Sequence, residues 1–274
     1  MVHEHDVLVD GHAVIASLVE RPERAGLIMD FDGVLAPIVA DPGESRLLPG
    51  TAELIADLAS AFALVALVSG RPVAFLAERA AVPGVVLLGA YGVETQRDGR
   101  RHVLPQVERF RDTVAQATAD LHRQFDGSPG TKGIRVEDKG LAVAVHWRQA
   151  QDEPAARRLV HDAVAELIAR TGLHREPGKL VEELRPPVEQ DKGTAVRRLI
   201  EDAKLERLAY AGDDLGDVPA LHVVAEFGGH ALVVAHGAET SPEVTAAAHV
   251  VFDGVEGFAA WLRELRDTLV TARR

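Results

Sequence analysis

Short apolar runs alternate with stretches of helical period along most of this chain. Residues 26–31 (GLIMDF), 62–69 (FALVALVS), 85–90 (VVLLGA), 207–212 (RLAYAG) and 230–235 (HALVVA) are continuous enough to be strands buried on both faces. Residues 49–61 (PGTAELIADLASA) show the other period: Leu54, Ile55 and Leu58 form one stripe, and Pro49 suits a first helical turn. Strand and helix in alternation predict an α/β fold with a Rossmann-like parallel sheet covered on both sides.

The middle third departs from that rhythm. A hairpin is expected around QRDGRRH (96–102), then a long amphipathic helix over 106–125 with Val107, Phe110, Val114, Leu121 and Phe125 on one side. Two strands follow. A second helix over 155–172 carries Leu159, Val160, Ala163, Val164 and Leu167 and ends at Gly172, before a further strand. A segment with its own sheet-and-helix pattern inside a parallel-sheet protein reads as an inserted mixed α/β domain. The boundaries expected are 104–185 for the insert and 1–103 with 186–274 for a discontinuous core, with residues 1–23 peripheral.

Composition narrows the chemistry. Asp and Glu outnumber Lys and Arg by 42 to 30, a formal charge of -12, which argues against nucleic acid as a partner and requires a local positive site for any small anionic substrate. No apolar stretch is long enough for a membrane helix and the start lacks a signal core, so a cytoplasmic protein is expected. The chain has no cysteine, so a metal would need oxygen or imidazole ligands.

Open parallel sheets bind ligands beyond the carboxyl ends of their strands, and four such ends here carry chemistry. In LIMDFDGV, Asp30 and Asp32 fall roughly on one side of an extended chain, and Gly33 lets the backbone turn away. Two carboxylates that close need a proton or cation between them, and magnesium is the natural candidate. In LVSGR, Ser69 and Gly70 precede a helix, where a hydroxyl and backbone N–H groups suit a phosphate oxygen. In VEQDKG, Lys192 stands at a helix start and offers fixed positive charge. In AYAGDDLGD, Asp213, Asp214 and Asp217 follow an apolar strand and would complete a metal site. Taken singly each has a plain alternative: a turn, a helix cap, or for the last an acidic calcium loop.

Together, DFDGV, SGR, DKG and GDDLGD resemble the four motifs of the haloacid dehalogenase (HAD) superfamily of phosphotransferases, and the insert resembles its mixed α/β cap. More narrowly, DFDGVLAPIVADP, LLGAYGVE, VEDKGLAVAVHWR and GKLVEELRPPVEQDKG are similar to trehalose-6-phosphate phosphatases over roughly residues 24–260. Val34 stands where that family usually has Thr, and GDDLGDVPAL, with Gly216 and Val218, where it more often has GDDxTDEDAF. The resemblance implies Asp30 as nucleophile and Asp32 as acid and base. It also implies magnesium on Asp30, the Asp32 carbonyl and Asp213, with Asp214 or Asp217 anchoring its water, and Ser69 and Lys192 on phosphate. The implied reaction is hydrolysis of trehalose 6-phosphate. Alternatives are a phosphatase of sucrose phosphate or mannosylglycerate phosphate, or a sugar-phosphate sensor without turnover.

The insert's strands bear on substrate. Strict alternation in VEDKGLAVAVHWR places Ala142, Ala144, His146 and Arg148 opposite Leu141, Val143, Val145 and Trp147, and in GKLVEELRP Lys179, Val181, Glu183 and Arg185 share a face. Glu183 and Lys179 resemble family positions that hydrogen-bond sugar hydroxyls; Glu137, Lys139 and His146 resemble other positions of the same cap.

Overall fold

The computed structural model describes residues 10–39, 41–178 and 180–272; Lys179 and residues 1–9 of the segment expected to be peripheral lie outside that set. The chain forms two compact units that meet in sequence at His102–Val103 and at Glu189–Gln190. Strands β1 (Ala25–Met29), β2 (Leu64–Val68), β3 (Val85–Gly89), β4 (Glu94–Arg97) and β5 (Arg100–Val103) come first. They are followed by β6 (Arg135–Asp138), β7 (Val143–His146), β8 (His174–Gly178) and β9 (Val181–Arg185), then by β10 (Arg207–Gly212), β11 (His230–Ala235) and β12 (Val250–Asp253). The helices are α1 (Gly11–Glu20), α2 (Thr51–Ala59), α3 (Val73–Arg79), α4 (Pro105–Glu108), α5 (Arg111–Phe125), α6 (Glu153–Thr171), α7 (Lys192–Ala203), α8 (Val218–Phe227), α9 (Pro242–Ala246) and α10 (Gly254–Ala272).

The large sheet runs β12-β11-β10-β1-β2-β3-β4-β5, parallel from β12 to β3. Its apolar runs are strands because both faces are covered: all five residues of β1 are buried. Leu27 and Met29 pack with Leu54 and Ile55 of α2 and Phe258 and Leu262 of α10, while Ile28 packs on the opposite side with Val196 of α7 and Leu221 of α8. Each such side chain contributes roughly 1.5–3 kcal/mol of transfer free energy. Helix α1, expected to be peripheral, buries Val14, Ile15 and Leu18 in the first of these cores. The hairpin β4–β5 adds an antiparallel edge at β3, and its Asp98-Gly99 turn has both residues at positive φ. From β1 the chain adds β2 and β3 on one side, then returns with β10 to the other, so the strand order reverses between β1 and β10. That is where open sheets of this type hold ligands.

Two helix readings need correction. Helix α2 begins at Thr51 after Gly50 in the left-handed conformation, so Pro49 precedes the helix. The helix expected over 106–125 is broken between Glu108 and Arg111 into α4 and α5, a break that a continuous apolar stripe conceals. In the second unit, β6-β7-β9-β8 form an antiparallel sheet with a core of Val143, Val145, Trp147 and Leu184 against Val114 and Leu121 of α5 and Val160 and Val164 of α6. Leu159, placed on the α6 stripe by period, is exposed, because the buried arc of a 19-residue helix is narrower than its apolar residues suggest. Among the described residues no helix is long and apolar enough to cross a membrane.

Candidate active site

Asp30 is the first residue past β1, and its amide N–H still donates to Ala211 of β10 at 2.9 Å. One carboxylate oxygen accepts from the Phe31 N–H at 2.6 Å and the other from Lys192 Nζ at 2.7 Å. Lys192 opens α7 and is buried; the same Nζ donates to Asp217 at 2.7 Å. Asp217 closes the turn after β10 and is fully buried. Its Oδ1 also accepts from Tyr210, and its Oδ2 from the N–H groups of Asp213 at 3.0 Å and Asp214 at 3.2 Å. Four donors fill its acceptor sites. Asp217 therefore braces the loop and fixes Lys192.

Asp213 is the complementary case. Its side chain is 10% exposed, and among the described residues no donor hydrogen-bonds its carboxylate; His236 stands 3.8 Å away and itself contacts the Gly33 carbonyl at 2.8 Å. Gly33 sits at φ 74, and a Cβ there would run into the Asp213 carboxylate, so glycine is required both by the turn and by this close approach. Ligand atoms of Asp30, Asp213 and Asp217 lie within 4.8 Å of one another.

The electrostatics follow from burial. Burial pushes the Asp30 carboxyl up to about 7 against the opposing pull of Lys192, with Asp217 adding to the rise. Burial, then Asp30 and Asp217, push Asp213 up to about 8. Burial works against the Lys192 charge, but the facing Asp30 and Asp217 carboxylates outweigh it and hold the ammonium above its ordinary value. Burial would likewise raise Asp217, yet Lys192 and Tyr210 hold it low. Asp30, which accepts two hydrogen bonds, and Asp213, whose carboxylate accepts none among the described residues, form with the saturated Asp217 an all-oxygen donor set that fits a hard divalent cation.

The other candidate residues are placed as follows. Asp32 is turned from this cluster toward Ser45 and Arg71. Asp214 is exposed and accepts from the Gly216 N–H at 2.8 Å, so of the pair Asp214 and Asp217 it is Asp217 that joins the cluster. Ser69 is buried at the end of β2, its Oγ accepting from the Arg71 N–H at 3.2 Å, and Gly70 is exposed next to it. Helix α3 starts at Val73 rather than at Gly70, and its first N–H is taken by the Glu94 carboxylate at 2.7 Å. Val34 is fully buried among apolar side chains, and Val218 joins the core under α8.

In the second unit, Glu137, Ala144 and Glu183 lie directly opposite one another across β6, β7 and β9, and therefore on one face. On that face His146 pairs with Glu137 at 2.8 Å and Lys139 with Glu183 at 2.5 Å. Lys179 lies outside the described residues.

Ser45, Arg71, Tyr210 and His236 escaped the sequence reading. Arg71 and Tyr210 left signals, as the third residue of SGR and as a lone phenol in an apolar strand before GDD; Ser45 left none.

A model of the trehalose-phosphatase family matches residues 28–250, and the chain belongs to that family. It is 34% identical over 233 residues to a trehalose-phosphate phosphatase of Mycobacterium marinum, covering 82% of this chain and 57% of that protein. The chain thus spans a little over half the length of that relative. A solved trehalose-6-phosphate phosphatase related protein superposes with a TM-score of 0.70 at 23% identity, over 90% of this chain and 99% of the other. The C-terminal domain of a C. albicans trehalose-6-phosphate phosphatase gives 0.67 at 19% identity, over 96% and 99%. These two likenesses show that the chain shares their fold.

Proposed function

We propose that this protein hydrolyses trehalose 6-phosphate to trehalose and phosphate in a magnesium-dependent reaction through a phosphoenzyme at Asp30. The observation that carries this reading is the buried Asp30–Lys192–Asp217 constellation beside Asp213, whose carboxylate has no donor among the described residues, at the strand reversal of a trehalose-phosphatase family sheet.

The nucleophile is Asp30. Lys192 favours its ionised form, and its free lone pairs are available to attack phosphorus; an Oδ–P bond forms as the sugar P–O bond breaks. Asp32 gives the leaving sugar oxygen its proton and then takes one from the water that attacks the aspartyl-phosphate, returning Asp30 and releasing phosphate. Lys192 and Ser69, with the Gly70 backbone, offset charge on the non-bridging oxygens. Asp30, Asp213 and the Asp32 carbonyl would hold magnesium, which supplies positive charge against the repulsion between carboxylate and phosphate dianion. Asp217, saturated with donors, keeps the loop and Lys192 in place. Glu137, Lys139, His146, Lys179 and Glu183 are assigned to the sugar hydroxyls, for which carboxylate, imidazole and ammonium groups are suited partners.

A panel of phosphorylated sugars, with phosphate release measured in magnesium and in EDTA, tests the reading. Trehalose 6-phosphate should be preferred over sucrose phosphate and mannosylglycerate phosphate, and EDTA should stop turnover. An undiminished rate in EDTA would refute the metal role.

A further inference from the structure

Resting on the phosphatase reading above, we infer that Arg71 and Ser45 are positioning residues for Asp32. Only Phe31 separates Asp32 from Asp30, yet the Asp32 carboxylate lies outside the Lys192 cluster. Ser45 Oγ donates to Asp32 Oδ1 at 2.7 Å; Arg71 donates from Nε to Oδ2 at 2.8 Å and from Nη2 to Oδ1 at 3.2 Å. Three donors from two loops fix both the direction and the rotation of this carboxylate, which a point charge would not.

The clamp is itself held. The guanidinium carbon of Arg71 lies 4.6 Å from the centre of the Phe75 ring, and Phe75 meets Phe31 edge-on at 6.1 Å. Contacts thus run from Asp32 to Arg71, to Phe75, to Phe31, and back to Asp32 along the chain. Main-chain bonds fix the base of Arg71: its N–H donates to Ser69 Oγ at 3.2 Å and its carbonyl accepts from the Ala90 N–H at 2.8 Å. A Cβ on Gly89 would collide with the Arg71–Val73 backbone, so the end of β3 is shaped to admit this loop. Ser45 is fully buried and its hydroxyl is committed to Asp32.

A proton donor serves only the atom within its hydrogen-bond reach, and lost placement forfeits part of the roughly 10²- to 10⁴-fold that acid–base catalysis contributes. Asp32 therefore relies on Arg71 and Ser45 when it protonates the departing sugar oxygen. This dependence is separable from structural support, because nitrophenolate leaves without a proton and a sugar alkoxide does not.

The test compares kcat/KM, which covers the steps through departure of the alcohol, for trehalose 6-phosphate and para-nitrophenyl phosphate. Arg71→Gln should lower it by about 10- to 100-fold on the sugar ester and by less than about threefold on the aryl ester. In an Asp32→Asn background Arg71→Gln should add no further loss. Ser45→Ala should show the same pattern more weakly. Equal losses on both esters, or a full added loss in the Asp32→Asn background, would overturn the assignment. Should Arg71→Gln fail to fold by circular dichroism, Arg71→Lys, which keeps the charge without the fork, and Ser45→Ala carry the same comparison. Wild-type protein inert toward both esters in magnesium, or Asp30→Asn retaining turnover, would remove the phosphatase reading itself.

Discussion

Lys192 and Lys139 each donate to a carboxylate at hydrogen-bond distance, but the first side chain is 4% exposed and the second 34%. In the first, water cannot screen the charges, so Asp30, Asp213 and Lys192 are all displaced from their ordinary titration and each partner depends on the others. In the second, solvent competes for every contact and the face behaves as a set of separate polar groups. Similar donor–acceptor distances thus occur in two different settings: charges fixed by burial in one unit, hydrogen bonds open to solvent in the other.

The largest expected effect is on turnover. Asp30→Asn should reduce it by about a thousandfold or more while the fold melts normally; activity above a few per cent would break the assignment of the buried cluster. Next comes stability. Lys192→Met leaves Asp30 and Asp217 facing each other without a cation and should cost about 3–5 kcal/mol, whereas Lys139→Met should cost under about 1 kcal/mol; similar midpoints in urea for the two variants would erase the contrast.

The pH dependence is smaller and has a defined sign. Asp30 and Asp213 bind protons more tightly in the fold than in an unfolded chain. Their contribution to stability is therefore complete below about pH 4 and is lost as pH rises through about 7 and 8. On the proposed metal role, magnesium would have to displace those protons, so its stabilisation should be slight near pH 5 and approach about 2.7 kcal/mol above pH 8 at a hundredfold excess over its dissociation constant. Melting curves with and without magnesium across this range check it; a shift that shrinks with rising pH would contradict it. The smallest effect is expected at the second unit: Glu183→Ala should lower kcat/KM for trehalose 6-phosphate by about tenfold, equal to one sugar contact of about 1.4 kcal/mol, and leave para-nitrophenyl phosphate unchanged.

The parallel sheet was legible because its strands are buried on both faces and leave unbroken apolar runs, and the four loops because charge at the end of such a run is conspicuous. Partnerships set by three-dimensional register were not. Nothing near Ser45 in sequence says that its hydroxyl meets a carboxylate 13 positions away, or that Arg71 does so across 39. Alternation places Glu183 on one face of its strand and so leaves Glu182 on the other, with Leu184, without saying how a carboxylate is accommodated there. Glu182 is a buried carboxylate, held by both Arg175 and His161. Single-sequence periodicity records the face, not the ion pair that makes a charge tolerable there. Choosing Asp217 over Asp214 needed the same information, since burial of one and exposure of the other follow from the tight turn and not from composition.

The strand order has a consequence for biogenesis. β1 occupies the middle of the large sheet, but its neighbour β10 is encoded only after the whole second unit. A nascent chain that has emerged as far as Glu189 therefore presents β1 as a bare apolar edge, with Asp30 still lacking both Lys192 and Asp217. Such edges recruit foreign strands, so ribosome-bound chains arrested before Arg207 should be the species that chaperones must shelter, and release should come with the arrival of β10.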